Sequence, residues 1–156
     1  MTDSRVFLEA SRSHIAAGQR AARPPDPSAR VEASILVRRR RQAAHLEAIL
    51  RGEAPALSRE EAAATLGADP ADLQLVSAFA ESYGLAILEA SQARRTVRVS
   101  GTVSQMESAF GITLQSCESG AHSYTCYEGV LSIPTSLDGI VVAVLGLDQR
   151  PVAKRS

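Results

Sequence analysis

The chain has 156 residues, enough for one domain of ordinary size with a tail or two, and its apolar fraction of 45% suffices for a core. Its 17 Lys and Arg balance its 17 Asp and Glu, so no whole-chain field points to nucleic acid or to acidic substrates. No apolar run approaches the roughly 18 residues of a membrane span, and the N-terminus lacks the apolar stretch of about 7–15 residues that a secretory signal needs.

Residues 1–23 show no sustained period. Phe7 and Leu8 are able to seed a helical turn, which the Pro24-Pro25-Asp26-Pro27 cluster would cut off, so a mobile leader is expected over residues 1–29. Val31, Ala33, Ile35 and Val37 then alternate with Glu32, Ser34 and Leu36, the pattern of a strand with one buried face. Arg38, Arg39, Arg40 and Arg41 follow. Such a run suits phosphate or an acidic membrane, but in a chain of zero net charge a solvated strand end is the simpler expectation. Residues 42–50 favour a short helix ended by Gly52 and Pro55. Ser58 with Glu61 makes a capping box, Leu57 and Ala62 are placed to staple it, and this helix reaches Leu66 before Gly67 stops it. Asp69 caps the next helix with Pro70 at its tolerated first position. There Leu73, Val76, Phe79, Ala80 and Tyr83 recur at helical spacing, and Gly84 supplies a left-handed stop.

Residues 85–90 and 94–100 read as two short strands joined by a polar turn; Val97 and Val99 alternate with Thr96, Arg98 and Ser100. Thr102 with Gln105 forms a second capping box, and the Val103, Met106, Phe110 stripe, ending at Gly111, is expected to pack a core rather than bind a cofactor. Cys117 and Cys126 flank a turn near Gly120 and Ala121. If residues 113–118 and 122–127 form a hairpin, the two cysteines fall opposite each other. A cross-strand disulfide is then allowed, provided the Cα atoms approach within about 4.4–6.8 Å; two unpaired thiols on separate strands is the plainer alternative. A helical turn around residues 135–139 introduces the run 140–147, apolar on both parities and therefore expected to be a strand covered on both sides. The order strand, helical layer, strand, strand, helix, strand is that of an α+β, ferredoxin-like split βαβ sandwich, an antiparallel sheet with helices on one face, here with an extra hairpin. Composition shifts at Asp148, so the domain is expected over residues 30–148 and residues 149–156 as the start of a linker.

Catalytic and metal-binding patterns are missing. No G-x-S-x-G turn occurs, and Ser58, Ser104 and Ser136 lie at helix starts, where a hydroxyl serves as a cap. His14, His45 and His122 are scattered without metal-ligand spacing, and two cysteines do not make a zinc site. No catalytic residue, metal site or cofactor is expected.

Four blocks carry a family resemblance. Pro25-Asp26-Pro27-Ser28-Ala29-Arg30-Val31-Glu32 leads into Ile35-Leu36-Val37-Arg38-Arg39-Arg40. Residues 71–73 to 83–85 form a second block, and the run from Gly101 and Thr102 to Phe110 and Gly111 a third. The fourth is Glu128-Gly129-Val130-Leu131-Ser132-Ile133-Pro134-Thr135-Ser136-Leu137, followed by Val141-Val142-Ala143-Val144-Leu145-Gly146-Leu147-Asp148-Gln149-Arg150-Pro151. In this order they resemble the pro-domain of sedolisin (kumamolisin-like) serine-carboxyl peptidases. The resemblance implies a fold similar to subtilisin and sedolisin propeptides. It also implies a secreted or extracytoplasmic precursor, a protease domain in cis as partner, and an isolated domain that is monomeric, with neither nucleic acid nor membrane as target. The family's catalytic residues and calcium site belong to the protease domain, so none is assigned here. Family pro-domains assist folding of the protease, inhibit it, and send their C-terminal linker across or near its cleft. The corresponding residues here are Asp148, Gln149, Arg150, Pro151, Val152, Ala153 and Lys154. The long Arg run and the cysteine in each arm of the hairpin depart from the family pattern. A stand-alone protease inhibitor is one alternative. Another is a ferredoxin-like module binding nucleic acid or a small ligand through the Arg run, for which three Phe, three Tyr and no Trp offer little stacking surface.

Overall fold

The computed structural model describes residues 4–13, 20–23, 26, 28–39, 50–52, 67–119 and 122–147. Along the chain run β1 (Arg5–Ser13), β2 (Arg20–Arg23), β3 (Arg30–Val37), α1 (Pro70–Ser82), β4 (Ala86–Ser91), β5 (Thr96–Thr102), α2 (Val103–Phe110), β6 (Gln115–Ser119), β7 (His122–Cys126) and β8 (Gly129–Pro134). A 3₁₀ turn (Thr135–Leu137) and β9 (Val141–Leu145) follow.

Alternation in β3 does what it promised. Val31, Ala33, Ile35 and Val37 are buried, while Arg30 and Glu32 are exposed. Val99 and Val97 of β5 pair across from Ala33 and Ile35, and β4 and β9 complete an antiparallel sheet in the order β4-β5-β3-β9. That order and polarity are those of the ferredoxin-like sandwich. Both helices pack on its apolar side: Leu73, Val76, Phe79 and Ala80 of α1 and Val103, Met106, Ala109 and Phe110 of α2 join one core with the strand valines. Phe79 meets Phe110 and Tyr83 edge to face, at ring separations of 5.9 and 5.4 Å.

The helix ends follow from local chemistry. Asp69 accepts the Ala71 N–H at 2.9 Å, with Pro70 in the first turn. Thr102 and Gln105 satisfy each other's backbone N–H groups at 3.2 and 2.8 Å, a complete capping box. Gly84 and Gly111 turn left-handed after the two helices. Of the expected helix over 42–50 and its stop, Leu50 is helical and Gly52 is left-handed. The rest of that helix and the capping box of Ser58 and Glu61, with Leu57, Ala62 and Leu66, fall outside the described residues.

Three expectations need correction. The segment read as a mobile leader, with a helical turn at Phe7 and Leu8, contains two strands. β1 pairs antiparallel with β8, and β2 pairs with β6. Val6 and Leu8 lean on the core while Phe7 points out at 74% exposure, so the short apolar run has period 2, not 3.6. The second correction concerns β9. It is an edge strand of its sheet, and among the described residues Val142 and Leu145 remain 39% and 56% exposed, so this apolar run is only partly covered. The third is the hairpin register. Ser119 pairs with His122, which sets Cys117 opposite Tyr124 and Cys126 opposite Gln115. The cysteines are therefore diagonal neighbours, not opposite ones. The structure nonetheless joins them, with Cα atoms 5.9 Å apart.

Candidate functional site

Both described helices lie on one side, and no other described helix covers the opposite, open side of the four-stranded sheet. Directly paired residues share a face, and the register assigns this one. Ser34 lies between Arg98 and Leu145, Leu36 between Thr96 and Ala143, and Glu89 beside Arg98. A charged ladder crosses three strands: Arg98 reaches Glu32 and Glu89 at 3.6 Å each, and Arg94 reaches Glu89 at 3.8 Å. Every member is largely solvated, so the ladder adds little stability and mainly patterns the surface. Apolar side chains flank it. Leu145 on β9 and Leu88 at the bulge of β4 are 56% and 46% exposed.

The chain leaves the sheet next to this face. A shallow hollow is lined by Glu32, Ala33, Ser34, Arg98, Leu145 and Gly146. Gly146 has φ +97°, and a Cβ there would approach the Glu32 carbonyl oxygen to 3.1 Å, so both conformation and space call for glycine. Gly146 thus lies at the rim of this face, and Leu147 after it turns back into the main core at 1% exposure. Asp148, Gln149, Arg150, Pro151, Val152, Ala153 and Lys154 themselves lie outside the described residues.

The Arg run divides. Arg38 puts its guanidinium on the Asp72 carboxylate, Nε to Oδ2 at 2.9 Å and a second contact at 3.4 Å. Asp72, in the first turn of α1, is 6% exposed, whereas the Arg38 side chain is 52% exposed. The hydrogen bond and charge of Asp72 hold the Arg38 guanidinium protonated more firmly than usual. Arg38 is thus a latch between β3 and α1, not merely a solvated strand end. Arg39 is exposed, and Arg40 and Arg41 fall outside the described residues, as do His14 and His45; His122 belongs to β7.

Several residues that fasten the fold gave no sequence motif. The Arg5 guanidinium donates to the Ser132 hydroxyl at 2.9 Å, the Tyr83 hydroxyl at 3.2 Å, the Ser132 carbonyl at 2.8 Å and the Ala109 carbonyl at the end of α2. Ser11 is buried, and its hydroxyl donates to the Val144 carbonyl at 3.1 Å while accepting the Val144 N–H at 2.8 Å. The Tyr127 hydroxyl donates to the Ser11 carbonyl at 2.6 Å. β1 thereby ties α1, α2 and β8 to the outer edge of β9. Among the described residues no group of His, Cys, Asp or Glu is placed to hold a metal ion, and no helix is long and apolar enough to cross a membrane.

Comparison with known proteins gives a consistent picture. The sequence profile of the family described as pro-kumamolisin, activation domain, matches residues 17–150. Among curated proteins, kumamolisin of Bacillus sp. (strain MN-32) is 39% identical over 98 residues, which cover 63% of this chain and 18% of that protein. The chain thus matches a minor part of that relative's length. β1 precedes the residues matched by the family profile.

Proposed function

From the premise that the chain belongs to the pro-kumamolisin activation domain family, we propose that it is the N-terminal propeptide of a secreted sedolisin-like serine-carboxyl peptidase. In this reading it acts as intramolecular chaperone and inhibitor of the protease domain and is released by processing at acid pH. The observation that carries the proposal is the open sheet face, flanked by exposed Leu88 and Leu145 and contiguous with the hollow at Gly146. A face of this kind, covered by nothing among the described residues, suits a protein partner. The segment from Asp148 to Lys154 would then lead toward the protease cleft. Tethering relaxes the affinity required, because a short linker supplies an effective concentration of about millimolar. Folding assistance has the same basis: a preformed sheet offers a template to a slow-folding protease of high contact order.

Acid supplies the trigger through charge. The 17 acidic and 17 basic residues cancel at neutral pH. As carboxylates protonate around pH 4, the Lys and Arg stay charged and the domain becomes strongly cationic. The domain's ion pairs weaken as its overall charge balance is lost, and a protease surface that is also turning positive is repelled.

A refolding assay tests the template. Adding the chain to the denatured protease domain of its precursor should raise the yield of active enzyme severalfold, and Leu145→Asp should lose most of that gain while keeping the chain's own circular dichroism. An equal yield with and without the folded chain would remove the chaperone role.

A further inference from the structure

The cysteine pair has no part in the proposed inhibition, yet it lies in a portion of the fold with its own small core. β6 carries β2 on one side and β7 on the other, forming a three-stranded arm apart from the main sheet. Cys117, Tyr124 and Cys126 are buried together there, in a cluster separate from the main core. Two polar groups are buried in the same place without a hydrogen-bond partner among the described residues, the Tyr124 hydroxyl and the Gln115 Oε1. These belong to the two cross-strand pairs that contain the cysteines, Gln115 with Cys126 and Cys117 with Tyr124. Groups that give up water without gaining a bond oppose folding, and a small sheet with so little apolar burial is marginal alone. The main core, by contrast, contains neither cysteine.

We infer that the Cys117–Cys126 disulfide makes the order of this arm conditional on an oxidising compartment, while the four-stranded sheet and its two helices hold without it. Formation joins two thiols into one S–S bond and passes two electrons and two protons to a disulfide-form oxidant, which leaves as a dithiol. A dithiol reductant reverses the step. The bond spans 9 residues, and closing a loop of that size shifts the opening equilibrium of the arm by roughly a hundredfold. Resting on the propeptide reading, the precursor carries a loosened arm while cytoplasmic thiols keep it reduced and a locked arm after export. The arm ends at Tyr127, which follows Cys126 but is buried with the main core and donates to the Ser11 carbonyl of β1.

Hydrogen-exchange mass spectrometry on the full chain tests this in three forms: oxidised, reduced with dithiothreitol, and carrying Cys117→Ser with Cys126→Ser. Amides of β6 and β7 should exchange about a hundredfold faster in both bond-free forms, with β3, β5 and α2 unchanged. Equal protection of β6 and β7 in all three forms would overturn the inference. So would loss of protection in β3 and β5, which would make the bond a staple of the whole fold. A reduced wild type that stays protected while the serine variant opens would also overturn it, by placing the effect in the substitutions. No peptidase enters the measurement, so its failure is distinct from failure of the propeptide reading.

Discussion

Arg38 and Asp72 show how a residue pair converts a charge run into architecture. The sequence displays four arginines in a row and gives no sign that the first has a partner 34 positions on. Asp72 is legible as a helix N-terminal acid, favourable to the helix dipole, but its burial depends on where α1 lands on β3. The two partners differ in access to water, and their substitutions should differ accordingly. Arg38→Ala leaves a buried carboxylate uncompensated and should cost about 2 kcal/mol, whereas Asp72→Asn leaves a half-exposed guanidinium that water can solvate and should cost about 1 kcal/mol. Urea unfolding of the two variants checks the order; a cost for Asp72→Asn equal to or above that for Arg38→Ala would contradict it. Asp26 adds a smaller pH dependence. Its carboxyl accepts the Ser28 backbone N–H at 2.9 Å and the Ser28 hydroxyl at 2.7 Å, which lowers its pKa below the ordinary value. The native turn therefore gains from this group above the unfolded carboxylate pKa and loses that gain as pH falls through the lowered native one.

Elements whose signals are local were legible. α1 and α2 announce themselves by caps, stripe and terminal glycine, and β3 by strict alternation beside a turn. β1 was not legible, because the reason for it lies more than a hundred residues away: Val6 pairs with Ile133 and Leu8 with Leu131. An unpaired β8 edge and an unsatisfied Val144 would otherwise face solvent or a neighbouring chain. The hairpin was legible as a hairpin, but its register was not, since a shift of the turn by one position moves every cross-strand partner. The same long-range dependence makes Ser11 a sensitive position. Ser11→Ala leaves the Val144 N–H and carbonyl buried without their shared partner and should cost about 2 kcal/mol, and the exchange protection of β9 should fall with it. Thermal unfolding with wild-type stability would show that β1 is dispensable to that edge.

At the scale of the whole molecule, the exposed apolar residues of β9 and the composition of the open face belong together. The run 140–147 reads as a strand covered on both sides, and among the described residues Val142 and Leu145 stay exposed. Leu88, the Glu32–Arg98–Glu89 ladder and the hollow at Gly146 extend the same surface. The site thus became visible once the sheet order had assigned a face to each residue, which no spacing in the chain reveals. Charge acts at the same scale: a balance of 17 against 17 leaves the neutral domain without net repulsion, and acid removes one side of it.

Inhibition of the cognate sedolisin-type peptidase by this chain, measured from pH 7 to pH 4 at matched ionic strength, tests the central claim most directly. Tight inhibition at pH 7 that weakens by at least tenfold toward pH 4, with the chain still folded, is the expected result. Absence of inhibition at every pH by a demonstrably folded chain would contradict the propeptide reading, and inhibition that stays constant across the range would contradict its acid trigger.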